Sequence, residues 1–282
     1  MNERTLQETL EIRKDVASRY NLEFPDPVLE PLWYGRRPTN RVTDRFAIVD
    51  QNNGYVYNVC TDIYKPIYHE EVIFLAEEAA SALPEYGKPV FKVQMLQEGG
   101  KLRVEVKFPE VEFDINPKVG DIVNPTIDIF SSYDLGWKYS GQFGAYRLIC
   151  SNGAKVGTIF DSFKKRHLTS LDPMELSSTI NNGMLKFSEQ TDLWRGWNEQ
   201  LINSETYESL WEALPFSAPE KEKIENLAEA GTGLYLPAAL KSNDLTRWMM
   251  FNVVTQYATH NIASEIRRIE ILPAVTNVFE RK

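Results

Sequence analysis

The hydrophobic pattern of this 282-residue chain changes its period near residue 170, and this change constrains the fold more than any other feature. From about residue 45 to residue 160, apolar residues alternate in short runs separated by turn residues, as antiparallel strands require. After residue 170 the apolar residues recur at helical spacing. We therefore predict an α+β fold, in which a hairpin-rich antiparallel sheet packed on a helix is followed by a mainly helical C-terminal region.

Two hairpins and one helix are predicted within the strand-rich part. Asn53-Gly54 separates the apolar runs 46–49 and 55–60, and Glu98-Gly99-Gly100 separates the runs 90–96 and 102–108. The strict alternation over 102–108 predicts one buried and one wet face. Between the hairpins, residues 68–80 have the spacing of an amphipathic helix. At the start of this helix we predict a solvated cap at His69 and a solvated face at Glu70 and Glu71.

Helix-start signals organise the second half of the chain. Asp172-Pro173 and Ser217-Ala218-Pro219-Glu220 each combine a capping side chain with a proline in the first helical turn. We predict helices near 173–201, 205–213, 218–230 and 243–268. The resulting division is an N-terminal helix and extended arm (1–45), a β-rich α+β core (46–170) and a helical region (171–282).

Motifs that would indicate an enzyme are absent from the sequence. It contains no P-loop, no dinucleotide-type glycine motif, no nucleophile elbow and no histidine pair at zinc spacing. We therefore expect no catalytic residues, no cofactor and no metal. A metal-dependent hydrolase stays as an alternative, in which scattered carboxylates would converge on a divalent cation (Asp114, Asp121, Asp128 and Asp134). Without a signal peptide or an apolar membrane span, we expect a cytoplasmic protein that does not enter a membrane.

Positive charge is concentrated in two short segments of a chain whose formal net charge is −9. Residues 36–45 contain four arginines and one aspartate, and Trp33 and Tyr34 precede them. Residues 147–167 contain five Lys or Arg and one aspartate. Guanidinium groups bind phosphates, and aromatic rings stack on unpaired bases. The candidate nucleic-acid-binding residues are Trp33, Tyr34, Arg36, Arg37, Arg41, Arg147, Lys155, Lys164, Lys165 and Arg166. A solvated face or intersubunit ion pairs would explain the same charges.

Three segments carry a resemblance to a known family. They are Tyr64-Lys65-Pro66-Ile67 before a helix, a strand ending in Arg147-Leu148-Ile149-Cys150-Ser151-Asn152-Gly153, and the late Asn252, Thr255 and His260. With these, the chain resembles the phage- and plasmid-like family that carries the domain of unknown function numbered 932. Within the second segment, Cys150, Ser151, Asn152 and Gly153 form the most specific motif. A structural role is favoured for Cys150, since a nucleophilic thiol needs an adjacent base.

The resemblance implies a role in DNA transactions, because members of the family occur in phages, plasmids and integrated elements. A protein similar to ring-forming single-strand annealing proteins would combine an α+β core with a basic groove along a homo-oligomer. We therefore expect a non-enzymatic protein of a phage or mobile element that binds or anneals single-stranded DNA in replication or recombination. The alternatives are a protein-interaction or host-defence-modulating protein and the hydrolase above.

Overall fold

The computed structural model describes residues 6–35, 40–116, 121–147, 155–165, 173–227 and 235–281. The strands in these ranges are β1 (Pro27–Tyr34), β2 (Asn40–Asp50), β3 (Val56–Cys60), β4 (Val90–Leu96), β5 (Lys101–Lys107), β6 (Phe113–Asn116), β7 (Asp121–Ser132), β8 (Tyr139–Arg147) and β9 (Lys155–Lys165). The helices are α1 (Leu6–Tyr20), α2 (His69–Ser81), α3 (Pro173–Glu199), α4 (Ser204–Ala213), α5 (Ala218–Glu225), α6 (Leu236–Lys241), α7 (Arg247–His260) and α8 (Glu265–Glu280). Strands dominate the first half and helices the second, which confirms the α+β class.

The first sheet has three antiparallel strands in the order β1-β2-β3. The predicted hairpin at Asn53-Gly54 is confirmed: the Asp50 N–H donates to the Tyr55 carbonyl at 2.8 Å, and Gly54 has a φ of 77°. A buried cluster of Ile48, Cys60, Tyr64 and Tyr133 anchors this sheet. Part of the predicted extended arm is therefore a strand, β1, which pairs with β2.

The second sheet has the strand order β4-β5-β7-β8-β9, and β6 pairs with β7 off this path. The predicted β4–β5 hairpin is confirmed, with Gln97, Glu98 and Gly99 at positive φ in its turn. Side chains from Ala145 to Arg147 and throughout β9 lie outside the description, which there covers the backbone alone.

Both faces of β5 are buried, so the predicted wet face is wrong. Leu102, Val104 and Val106 form its apolar face. The opposite face consists of Lys101, Arg103 and Glu105, which are each less than 10% exposed. Asp134 pairs with Lys101, and Asp128 pairs with Arg103 at 2.9 Å. Carboxylates from β7 and from the turn after it thus neutralise the cations of β5, which lowers the free-energy cost of burying these charged side chains.

The described residues group into two compact units, each discontinuous in sequence. One unit takes its residues from 1–106, 127–142 and 162–181, and the other from 107–126, 143–161 and 182–282. In the first unit, α1 packs on α2 with Val16 as its fully buried residue. Two ion pairs join these helices, Arg13 with Glu70 at 3.1 Å and Arg19 with Glu77 at 2.5 Å.

The second unit has an aromatic core built around α7. The ring centroids of Trp194 and Trp248 are 5.6 Å apart, and those of Trp197 and Phe251 are 5.4 Å apart. Both faces of α7 are buried over 250–255, as expected of a helix that other elements surround.

Most of the predicted helices are present, and the capping signals mark their starts. α3 begins at Pro173, and the Ser217 N–H before α5 donates to Glu220 Oε2 at 2.9 Å. The single helix predicted over 243–268 is wrong. The chain leaves the helix at Asn261, and Ser264 Oγ caps a new one by accepting from the Arg267 N–H at 3.3 Å. None of the helices in the described part of the chain has both the length and the hydropathy of a membrane span.

Candidate nucleic-acid interface

The outer half of the β1–β2 hairpin is a two-stranded ribbon. In the described register, β3 pairs with β2 only from Phe46 to Val49, whereas β1 pairs with β2 as far as Asn40. In this outer part, Asn40 pairs with Tyr34 and Arg41 pairs with Trp33. Residues 42–45 of β2 lie opposite Leu32 alone, and this irregularity separates the two-pair ribbon from the sheet below it.

Each face of the ribbon carries an exposed aromatic side chain. Trp33 lies opposite Arg41, and Tyr34 lies opposite Asn40. Residues directly opposite each other in an antiparallel pair share a face, and consecutive residues point to opposite faces. Trp33 and Arg41 thus share one face, and Tyr34 and Asn40 share the other. Trp33 is 52% exposed and Tyr34 is 59% exposed.

Arg41 is the available cation of the described ribbon. Its guanidinium carbon lies 5.5 Å from the centroid of the Phe46 ring, and no ion pair within the described ranges involves it. Arg45, in contrast, pairs with Asp44 at 3.1 Å. The two remaining arginines of the segment, Arg36 and Arg37, connect β1 to β2 and lie outside the described residues.

The second predicted basic segment runs from the end of β8 through β9, and these two strands are neighbours in the second sheet. Arg147 ends β8, Lys155 begins β9, and Lys164 and Lys165 end it. Their backbones are described, but their side chains are not. Arg166 and the motif Cys150, Ser151, Asn152 and Gly153 lie outside the described residues. The structure therefore brings together Trp33, Tyr34 and Arg41, and a single surface formed with the β8–β9 lysines stays a prediction.

A buried charged cluster in the first unit was not anticipated from the sequence. Glu70, predicted to be solvated, is 3% exposed, and Arg13 lies between it and Asp26, with its guanidinium carbon 3.9 Å from the centroid of the Tyr68 ring. Burial raises the pKa of Glu70, and the Arg13 charge offsets only part of that effect. This cluster holds α1 in place.

His69, predicted as a solvated cap, is fully buried. Its ring stacks on Tyr133 with centroids 4.1 Å apart, and its Nε2 lies 2.9 Å from the Gly99 carbonyl. The His69 N–H donates to the Tyr133 hydroxyl at 2.9 Å, so the phenol rather than a capping side chain receives the first N–H of α2. Tyr133 lies far away in sequence, and the local pattern gave no signal of it.

Two of the carboxylates considered for a metal site are engaged elsewhere, whereas Asp114 has a buried Oδ1 without a hydrogen-bond partner among the described residues. Asp128 and Asp134 each bind a buried cation of β5. Among the residues that the structure describes, no three His, Cys, Asp or Glu side chains are arranged to hold a metal ion. Cys60 is a buried free thiol, and burial raises its pKa.

The late Asn, Thr and His of the resemblance occupy α7 in different surroundings. Asn252 is 2% exposed, and within the described ranges neither polar atom of its side chain has a hydrogen-bond partner. Thr255 is also buried, and its Oγ1 donates to the Phe251 carbonyl at 2.9 Å. His260 ends the helix and is exposed. The three residues therefore do not form one exposed site.

Residues 57–274 match the family model described as Domain of unknown function (DUF932). The match includes β8 and β9 and begins after the ribbon of β1 and β2. No curated protein and no solved structure matches the chain.

Proposed function

We propose that this chain, which belongs to the DUF932 family, is a non-enzymatic protein that binds or anneals single-stranded DNA and self-associates. Its setting would be replication or recombination of a phage or mobile element in the cytoplasm of a bacterial host. The exposed ribbon of Trp33, Tyr34 and Arg41 carries this proposal, because it combines stacking surfaces with an available cation.

The aromatic residues favour unpaired over paired nucleic acid. Bases in a duplex are stacked on each other, and their faces are not accessible, whereas a single strand can place its bases on exposed rings. Trp33 and Tyr34 are about half exposed and stand on opposite faces of the ribbon. A single strand could therefore stack a base on either face.

The local charge supports contact with a phosphate backbone. Four arginines and one aspartate between residues 36 and 45 give this segment a net charge of +3, although the whole chain carries −9. Since the rest of the chain is net negative, a DNA strand would be attracted to the basic segments rather than to the protein as a whole. The basic positions of β8 and β9 would extend the contact.

The proposal is tested by titrating a fluorescent single-stranded oligonucleotide, and a duplex of the same length, at about 50 mM and 200 mM salt. We expect tighter binding of the single strand and affinity that falls steeply with salt. In the double variant Trp33→Ala, Tyr34→Ala, the affinity should fall by at least about tenfold, because each base stacked on an aromatic ring contributes about 1–3 kcal/mol.

Tyr235→Ala is the matched control, because Tyr235 is 49% exposed and lies in the second unit at the start of α6. Its affinity should equal that of the wild type. The proposal is contradicted if the single strand does not bind at low salt, or if Tyr235→Ala weakens binding as much as the double variant.

A further inference from the structure

The edge strands of the two sheets differ in how they are protected against pairing with another chain. Proteins block exposed edges with prolines and charged residues. β1 contains Pro27, Glu30 and Pro31, and β4 contains Lys92. β9 contains Lys155, Asp161, Lys164 and Lys165. β3 contains neither a proline nor a charge, and it lies within an uncharged run at 51–61.

Exposed apolar side chains are concentrated at this unprotected edge. Val56 is 54% exposed and Val59 is 42% exposed, and Ile63 just beyond the strand is 64% exposed. Val56 pairs with Val49 and Val59 pairs with Ala47, so the two valines share one face of the strand. We call Val56, Val59 and Ile63 the β3 patch. Apolar patches of this kind mark interaction surfaces.

The inner side of β3 is firmly held, which makes its outer side a preorganised surface. The Tyr57 hydroxyl donates to the Glu98 carbonyl at 3.0 Å, and its ring packs on the buried cluster with Cys60. Tyr57 is also the extra residue of a bulge, because Val49 pairs with Val56 and Ile48 pairs with Asn58. The bulge twists the strand and limits pairing to a short stretch, so the apolar side chains must supply most of any contact.

We propose that the β3 patch is the surface through which two copies of this chain associate, with their β3 strands antiparallel about a twofold axis. Two copies that each carry −9 repel one another, and they can approach most closely where neither presents a charge. The uncharged run at 51–61 is such a place. A twofold arrangement buries the same patch on both copies. The β3 patch would then be the surface of the self-association that forms part of the proposed function.

Val56→Lys tests the inference, and Val90→Lys is its matched control. Val90 is also 54% exposed and begins the other edge strand β4, beside Lys92. Ile63→Lys is a second test variant outside any strand, so that it acts on the interface without affecting strand pairing. The mass of each variant is measured by sedimentation equilibrium over a concentration series, and the fold of each is verified by circular dichroism.

We expect wild type and Val90→Lys to reach about twice the 32.5 kDa of one chain. Val56→Lys and Ile63→Lys should stay at the monomer mass, with dimer dissociation constants raised at least about 100-fold, because a charge would be buried without a partner. A monomeric wild type overturns the inference, and so does a dimer that persists in both Val56→Lys and Ile63→Lys. Oligonucleotide titration of the same samples separates the two proposals, since a dimer that binds no DNA contradicts the proposed function alone.

Discussion

Trp33 on β1 lies directly opposite Arg41 on β2, so an exposed indole and an available guanidinium share one face of the ribbon. If one stretch of DNA contacts both, the two side chains should be coupled in binding. A double-mutant cycle with Trp33→Ala and Arg41→Ala should give a coupling energy of at least about 0.5 kcal/mol. Tyr34 occupies the other face, so Tyr34→Ala and Arg41→Ala should be additive. Equal coupling in the two cycles would contradict the assignment of faces.

The basic end of β9 should contribute to the salt dependence of binding. We expect the triple variant Lys164→Ala, Lys165→Ala, Arg166→Ala to lower the slope of log affinity against log salt by about 2, because each phosphate contact on a single strand contributes about 0.7. The control replaces three exposed lysines in other elements with alanine, Lys14, Lys223 and Lys241. An unchanged slope in the β9 variant, or an equal fall in the control, would exclude this segment from the interface.

The buried pair of Arg13 and Glu70 should contribute much more to stability than the exposed pair on the same helix. The two side chains are 16% and 4% exposed, and removing Arg13 leaves Glu70 with a buried charge. We expect Arg13→Ala to lower the free energy of unfolding by about 3–5 kcal/mol. Arg19→Ala, at a side chain that is 42% exposed, should cost less than about 1 kcal/mol. Urea unfolding measures both, and equal losses would show that burial of the pair does not matter.

The raised pKa of Glu70 predicts how the loss of free energy of unfolding in Arg13→Ala depends on pH. The pKa of Glu70 in the folded protein lies above the ordinary value of 4.5, because burial disfavours its charged form. Loss of Arg13 raises this pKa further. Since a carboxyl with a raised pKa is protonated more readily in the folded than in the unfolded state, its ionisation destabilises the fold as pH rises. The deficit of Arg13→Ala should therefore shrink as pH falls toward the ordinary value, and a deficit that is constant with pH would contradict the mechanism.

The pair of Lys101 and Asp134 predicts the opposite pH dependence. Burial alone would raise the pKa of Asp134, but hydrogen bonds from Lys101 and from the Gly136 N–H outweigh it and hold the pKa below 3.8. Its stabilising contribution is therefore complete above the ordinary value and is lost as pH falls through the lowered pKa. Asp134→Asn should cost about 3–5 kcal/mol at neutral pH by leaving Lys101 unpaired. The difference in free energy of unfolding between wild type and Asp134→Asn should become smaller only in strong acid, where Asp134 is protonated.

Two glycines of α3 should respond to alanine in opposite directions. A Cβ on Gly183 would lie 2.3 Å from Cγ of the buried Phe143 ring, whereas a Cβ on Gly196 would meet nothing within 4 Å. Gly183→Ala should therefore destabilise the protein by about 1–3 kcal/mol. Gly196→Ala should stabilise it by up to about 1 kcal/mol, because alanine favours the helix. Urea unfolding of the two variants decides this, and a stabilising Gly183→Ala would show that the helix and ring do not pack closely.

Elements that depend on residues close together in sequence were mostly predicted correctly, because a local sequence signal is enough to identify them. The turn at Asn53-Gly54 and the capping box at Ser217 and Glu220 are of this kind. The break at Asn261 was missed, because neither a proline nor a glycine marks it. The short elements β6 and α6 were missed as well, since four to six residues carry little periodicity.

Residues whose surroundings come from distant parts of the chain were predicted poorly. His69 was expected in solvent, yet Tyr133 covers it, and Glu70 is buried because Arg13 reaches it from α1. The local pattern predicts that the charged face of β5 is exposed to solvent. It is buried because Asp128 and Asp134, from a later part of the chain, pair with its cations. The candidate interface was predictable in part. Tryptophan, tyrosine and arginine near one another in sequence indicated it, but only the register of β1 and β2 assigns their faces.

Photo-crosslinking of a bound oligonucleotide is the most direct test of the proposed nucleic-acid interface. A single strand substituted with iodouracil is bound at low salt and irradiated, and the crosslinked peptides are identified by mass spectrometry. We expect crosslinks at Trp33 or Tyr34 that are lost when unlabelled single strand competes. Crosslinks that fall only outside the ribbon and strands β8 and β9, or no crosslinks in a sample that binds the strand, would contradict the proposed interface.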